Sequence, residues 1–574
     1  MQERYYTDDK NTLILLSLLK AHGIKKVIAS PGTTNIALVA SMMIDPWFEM
    51  YSSVDERSAC YMACGMASES REPVVLTCTG ATASRNYLPG LTEAYYRNLP
   101  ILAITGSHGE DYIGHLHAQS MDRTQAPKDT VVFSSSVKLK DSEWKATIEI
   151  NKAILALSYR GGGPAHLNLE SAAYGTFNTQ KLPSVRKISR YTIEDELPLL
   201  NAKRVAIIIG NHVNFTEEES KCIERFCESN NGVVLCDHTS GYHGNYKILS
   251  ALPSCQKQFP NDFKQPDVVI HIGNVSGEFY VKKIKGKETW RISKDGEIRD
   301  LFGNLSCVFD MSEYSFFKYY SRDDCSNTEY FEYIRDIYEE LIKSIPNLPF
   351  SNLWIAQQIH DKLPQQCCLH VSIFNSLRSW NFFEIDNSIF TQCNVGGFGI
   401  DGPVSTLLGA SFVNKEKLHF LVTGDLAFFY DMNALGNRHI GKNVRILLVN
   451  NGRGTEFRNS DHPASKWGDK ADLFMAAGGH FGSQSRDLVK HYVTDLGFSY
   501  LTATTKEDFN SNIDYFINAN QDKSILFEVF TTPQNESDAI DLIKNILPDC
   551  KNNFESLKEK SRAIAKKIVY SLKK

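Results

Sequence analysis

Short apolar runs bounded by polar or turn-forming residues recur along the chain and alternate with stretches of helix-like spacing. Strands are predicted near Lys25–Ala29, Val74–Thr79, Ile101–Thr105 and His166–Leu169 in a first block, and near Val205–Ile209, Val233–Cys236 and Val268–Ile272 in a second. In a third block Leu418–Thr423 and Val444–Val449 are too short for helices and read as buried strands, with helix-like spacing from Leu426 to Ile440 between them. This alternation predicts an α/β chain of three parallel-sheet domains covered by helices. Two polar, proline-containing links, Asn178–Pro198 and Ser344–Asn352, divide it into expected domains at 1–180, 190–345 and 350–574.

Length and charge narrow the class. A chain of 574 residues is too long for one core. Sixty-two basic against sixty-seven acidic side chains give a net charge of −5 with no long basic block, which argues against a nucleic-acid partner. The apolar stretch Leu13–Leu19 ends in Lys20 and follows Glu3, Arg4, Asp8 and Asp9, so it fits neither a signal peptide nor a membrane span. Thirteen cysteines include no Cys-x-x-Cys pair, and Cys60, Cys64, Cys78 and Cys236 sit in apolar segments, as expected for buried thiols in a reducing cytoplasm. The lysine-rich tail Phe554–Leu572 has the pattern of an amphipathic surface helix.

Chemistry concentrates where strands end. Gly424-Asp425 and Asn450-Asn451 close the two strands of the third block, and in parallel sheets ligands bind beyond the carboxyl ends of strands. Asp425, the Asn451 amide oxygen and a backbone carbonyl near Arg453 would supply about half of the six oxygens that magnesium takes, leaving the rest to phosphate and water. The same residues also read as a strand-ending Asp and an Asn-Gly turn. In the first block Ser53-Val54-Asp55-Glu56-Arg57 precedes a helix rich in small residues, and Glu56 reads either as a capping or surface carboxylate or as a catalytic one. Ile209-Gly210-Asn211 ends a strand but lacks Gly-x-Gly-x-x-Gly, and Gly161-Gly162-Gly163-Pro164 reads as a turn before a strand.

Glu56 and the Asp425–Asn451 pair together fit one cofactor, thiamine diphosphate with Mg2+. Ser30-Pro31-Gly32, Asp55-Glu56-Arg57-Ser58, Asn86-Tyr87-Leu88-Pro89, Gly399-Ile400-Asp401-Gly402, Gly424-Asp425-Leu426, Tyr430–Leu435 and Val449-Asn450-Asn451 carry the likeness. On these segments the chain resembles the thiamine-diphosphate-dependent 2-oxo acid enzymes over nearly its whole length. Leu426, where most of that superfamily has a second glycine, makes it most similar to the menaquinone-pathway synthase branch.

The resemblance implies pyrimidine-binding, middle and diphosphate-binding domains in that order. It implies that Glu56 hydrogen-bonds a ring nitrogen of the aminopyrimidine, a role that needs a carboxyl pKa raised by burial above about 4.3. Asp425, Asn451 and the Arg453 carbonyl would hold the metal. Ser30, Pro31, Gly32, Asn394, Gly399, Ile400, Gly424, Leu426 and Ala427 would contact the cofactor, Gly396, Gly397, Gly399 and Gly402 allowing its close approach. Gln119 resembles a glutamine near the reacting carbon, with Gln125 a competitor in register. His115 and His117 resemble histidines of some decarboxylases, although histidines in a loop are more often solvated. His480-Phe481 matches a His-Phe pair of the family.

Two departures bear on the substrate. Where the menaquinone-pathway branch has arginines for substrate carboxylates, this chain has Thr34, within Thr33-Thr34-Asn35, and Val395. Each lost charge-assisted contact is worth about 1.5 to 3 kcal/mol, so an acceptor other than isochorismate is expected. Arg378, after Asn375-Ser376-Leu377, reads either as a holder of a dicarboxylic donor or as a surface ion-pair residue. The expected activity is a carboligase joining a small 2-oxo acid donor to an unidentified acceptor, with a simple decarboxylase, the menaquinone-pathway reaction itself, and cofactor binding without turnover as alternatives. A homodimer or homotetramer with the cofactor at the subunit interface is the expected assembly, and no membrane partner is expected.

Overall fold

A computed structural model describes residues 5–80, 82–123, 126–171, 175–257, 265–322, 326–458, 462–479 and 485–546. The expected tail helix, Gln125 and the His480-Phe481 pair lie outside these residues. The chain divides into two compact units, residues 1–195 with 296–310, and residues 196–295 with 311–574.

In the first unit β1 (Lys26–Ala29), β2 (Glu49–Ser52), β3 (Val74–Cys78), β4 (Ile101–Ser107), β5 (Phe133–Val137) and β6 (Ala165–Glu170) form a wholly parallel sheet of order β2-β1-β3-β4-β6-β5. Val27, Val75, Leu102, Ile104 and Leu167 face one apolar cluster, whereas Ile28, Leu76, Ala103 and Cys78 face another. Burial on both faces explains why these strands read as continuous apolar runs. A further strand, β7 (Ser189–Thr192), lies inside the segment expected to be a link.

Five strands of the second unit, β8 (Val205–Ile209), β9 (Gly232–Cys236), β10 (Lys247–Leu249), β11 (Val268–Ile272) and β12 (Glu288–Ile292), run parallel in the order β10-β9-β8-β11-β12. The strand β13 (Leu305–Asp310) returns to the first unit and pairs in parallel with β7. The third sheet comprises β14 (Cys368–Val371), β15 (Phe390–Gln392), β16 (His419–Gly424), β17 (Val444–Asn450), β18 (Ser499–Ala503) and β19 (Ile525–Phe530), ordered β15-β14-β16-β17-β19-β18 and again parallel. The α/β class and its parallel sheets are as expected.

Some local expectations need correction. The helix expected over Leu426–Ile440 is α-helical only over Asp425–Asp431 and continues as a 3-10 turn, Met432–Gly436. Asp431 spends its carboxylate on the Ser405 backbone N–H and hydroxyl, both at 2.6 Å, and Gly436 and Asn437 are poor helix continuers. Leu13–Leu19 lies in the helix Lys10–Ala21, capped by Asp9, and Leu15, Leu16, Leu18 and Leu19 are core. Among the described residues no helix is long and apolar enough to cross a membrane. Gly210 is needed for packing, since a Cβ there would sit 2.0 Å from the Asn274 carbonyl oxygen.

Candidate functional site

β16 and β17 are neighbours in register, Gly424 opposite Val449, so their carboxyl ends bring Asp425 beside Asn450, Asn451 and Gly452. Asp425 opens its helix, with Oδ1 accepting the Leu426 N–H at 3.0 Å and Oδ2 accepting the Gly452 N–H at 2.8 Å. Gly452 turns away with φ +79°, a conformation glycine adopts without strain. Burial pushes the Asp425 carboxyl up to about 7, and Glu528 adds to the rise. Glu528 itself, also raised by burial, is held by Asn450 Nδ2 and the Tyr500 hydroxyl, both at 2.8 Å. A buried carboxylate that faces other acids and, among the described residues, no basic side chain is what a bound cation would relieve.

Asn451 shares this strand end, its Oδ1 accepting the Arg453 N–H at 3.4 Å, while Arg453 forms an ion pair with Asp472 at 2.5 Å. Among the described residues no three His, Cys, Asp or Glu side chains converge on one point. The donor set therefore suits a metal bound by one carboxylate, an amide and a ligand's phosphates. Gly424 has φ −82° and a Cβ there would meet nothing within 4 Å, so neither backbone nor packing in this chain demands glycine. The same open space surrounds Gly396 and Gly397, whereas a Cβ on Gly399 would strike the Asp401 side chain at 2.3 Å. These surroundings fit a diphosphate held by magnesium at Asp425, with a cofactor lying against backbone.

Asn394 is cross-bonded to Thr406, with Nδ2 to Oγ1 at 3.1 Å, at the edge of a cavity that Gly399 also lines. Val395 is buried, Ile400 is half-buried, and Leu426 and Ala427 occupy the first turn after Asp425. Asn375 and Ser376 start a short helix after Phe374, whose φ of +64° is unusual for a bulky residue. Asn375 bonds Thr455, and Arg378 reaches Glu456 through two hydrogen bonds of 2.8 and 3.0 Å. Arg378 is therefore an ion-pair residue, but a largely buried one and not a surface one. Glu456, the partner, carried no signal in the sequence. Another unforeseen acid, Glu536, accepts the Asn352 N–H, and burial pushes it up to about 7 with Asp425 contributing.

In the first unit the capping role at the Glu56–Ser70 helix falls to Asp55, whose side chain accepts the Arg57 N–H at 3.0 Å. Glu56 is thereby left uncommitted at the helix start, half-exposed, with the Asn86 amide 3.4 Å from its Oε2. The described residues of this unit do not enclose it. The small-residue face of that helix packs against the Leu88–Tyr96 helix, where a Cβ on Gly90 would meet Cys60 at 2.6 Å. In the Ser30-Pro31-Gly32 turn, Ser30 donates its N–H to Thr77, and a Cβ on Gly32 would lie 2.4 Å from that of Thr79. Thr34 is buried, and its hydroxyl is used twice, against Thr79 at 2.6 Å and the Gly80 N–H at 3.2 Å. His115, His117 and Gln119 share an exposed loop, where His117 stacks on Tyr112 and Gln119 has φ +63°.

Comparisons with known proteins bear on both units. Residues 12–126 match the family described as "Thiamine pyrophosphate enzyme, N-terminal TPP binding domain". The 2-succinyl-5-enolpyruvyl-6-hydroxy-3-cyclohexene-1-carboxylate synthase of Bacteroides fragilis is 30% identical over 560 residues, covering 93% of this chain and 98% of the relative. Enzymes of the same description from Bacteroides thetaiotaomicron, 29% identical over 562 residues with 93% and 98% covered, and Flavobacterium johnsoniae, 30% identical over 549 with 92% and 96% covered, are similar along their length.

Proposed function

Because this chain belongs to the thiamine-diphosphate-dependent enzyme family that includes the 2-succinyl-5-enolpyruvyl-6-hydroxy-3-cyclohexene-1-carboxylate synthases, we propose that it is a carboligase acting on a 2-oxo acid. It decarboxylates the donor and transfers the remaining acyl carbon, as an anion equivalent, to an acceptor. When bound, thiamine diphosphate supplies the electron sink that carbon dioxide loss requires.

The protein's own groups do the rest. Asp425, Asn451 and the Arg453 carbonyl would hold magnesium, which when bound would supply positive charge against the diphosphate. Gly424, Leu426, Ala427, Asn394, Gly399 and Ile400, in or after strands of the third sheet, and Ser30, Pro31 and Gly32, after β1, would contact the cofactor. Glu56 would hold a proton between its carboxyl and a ring nitrogen of the bound cofactor, with a second subunit completing its enclosure. Gln119, with His115 and His117 on the same loop, would act toward the bound substrate, and Thr34, Asn375, Ser376, Arg378 and Val395 would shape substrate choice. Residues 1–180, 190–345 and 350–574 serve as the pyrimidine-binding, middle and diphosphate-binding domains of a cytoplasmic homodimer or homotetramer.

The observation that carries this reading is Asp425, a carboxylate buried at a strand end beside Asn451 and Gly452, with no basic partner among the described residues. Arg378 already has both terminal nitrogens, Nη1 and Nη2, on Glu456, which favours a donor without a second carboxylate at that point. The menaquinone-pathway reaction, from 2-oxoglutarate and isochorismate, is the second reading, favoured by the names of the relatives. A panel of 2-oxo acids, each with and without aldehydes, ketones or isochorismate, separates them by carbon dioxide release and product mass. Product from isochorismate with 2-oxoglutarate alone refutes the preference for another acceptor. Carbon dioxide release without any ligated product refutes the carboligase.

A further inference from the structure

Arg123 has no place in the roles above, yet only 8% of its surface is exposed. Its Nη1 makes one long hydrogen bond, 3.4 Å, to the Gly106 carbonyl, and its buried Nε has no acceptor. Among the described residues no carboxylate forms an ion pair with it, and the nearby Glu110 is committed to Lys138 at 2.7 Å. A guanidinium taken out of water with five donors and one weak acceptor calls for an anion.

The side chain lines a pocket on one face of the first sheet that encloses about 40 Å3, room for a carboxylate group, and opens toward solvent beyond it. Arg85, on the same wall, brings a second positive charge. Leu88, Leu91 and Val131 make much of the remaining wall apolar. His166 closes it as a neutral ring, bonded to the Thr105 hydroxyl at 2.8 Å and the Ser134 hydroxyl at 3.0 Å, with burial and Arg123 pushing its pKa down to about 4. Among the described residues no acid lines the cavity.

We infer that this cavity binds a small organic carboxylate with an apolar body, the carboxylate meeting Arg123 and Arg85 and the body lying against Leu88, Leu91 and Val131. Inorganic phosphate would satisfy the cations but leave the apolar wall unfilled, and a neutral analogue would fill the wall but leave Arg123 unpaired.

Calorimetric titration of the full chain without thiamine diphosphate, using benzoate, benzamide and inorganic phosphate as probes, tests this directly. Benzoate should bind roughly tenfold or more tightly than benzamide, the ratio expected for a charge-assisted pair, and more tightly than phosphate. R123M should abolish the benzoate preference, and R123K should keep part of it. Circular dichroism establishes that R123M is folded, and the benzoate–benzamide comparison on the wild type stands without it. Equal binding of benzoate and benzamide, no benzoate binding at millimolar concentration, phosphate binding as tight as benzoate, or a folded R123M that keeps the preference would each overturn the inference.

Discussion

Replacing Asp425 by Asn should stabilise the cofactor-free protein at neutral pH while destroying the metal site. Burial raises this carboxyl from 3.8 to about 7. The folded state therefore holds its proton more tightly than the unfolded chain, so the group costs nothing below about pH 3.8 and progressively more as pH rises to about 7. At about 1.4 kcal/mol per pH unit, the full penalty above pH 7 is about 4 kcal/mol. Asn is isosteric and uncharged but offers one acceptor where Asp offers two, so either the Leu426 or the Gly452 N–H is left unpaired, at about 1 kcal/mol. D425N should then be more stable than the wild type by about 3 kcal/mol at pH 8 and no more stable near pH 4. Guanidinium unfolding followed by tryptophan fluorescence, in chelator and without thiamine diphosphate, measures this, Trp354 and Trp380 both being buried in the same unit. A wild-type-to-variant difference that is unfavourable at pH 8, or constant between pH 4 and 8, would refute the reasoning.

Gly424→Ala should leave the melting temperature nearly unchanged, because a Cβ there meets nothing within 4 Å, yet weaken thiamine diphosphate binding roughly tenfold in a magnesium-dependent titration. Gly32→Ala, whose Cβ would lie 2.4 Å from that of Thr79, should instead lose about 1 to 3 kcal/mol of stability in chemical unfolding. Arg378→Met should cost about 3 kcal/mol by removing the cation that Glu456 accepts from twice, and the double variant R378M/E456Q should recover most of it, since the penalty lies in the lost charge pairing. Equal losses in the single and double variants would count against that assignment.

What the sequence made legible follows burial. β8 and β11 have the expected bounds because both faces are covered and the apolar run ends where the strand does. The strand β7, Ser-Arg-Tyr-Thr, is half-buried throughout and offers no such run, so it passed as linker. At the candidate site the strand-end position of Asp425 was readable from local pattern. Its acidic surroundings were not, since Glu528 and Glu536 arrive from strands and helices about 100 residues further on. Arg378 and Glu456 are 78 positions apart, and Arg123 lies in a segment with no motif, so only packing reveals that one is paired and the other is not. Glu56 and Asp425 fall in different compact units, and pattern resemblance alone linked them.

Exchange of the thiamine diphosphate C2 proton for deuterium, followed by NMR in the wild type and Glu56→Ala, tests the central claim most directly. The account predicts rapid exchange on the wild type and none above the solution rate on Glu56→Ala, with magnesium-dependent cofactor binding retained in the variant because Asp425 and Asn451 are untouched. Exchange on Glu56→Ala at the wild-type rate would contradict it.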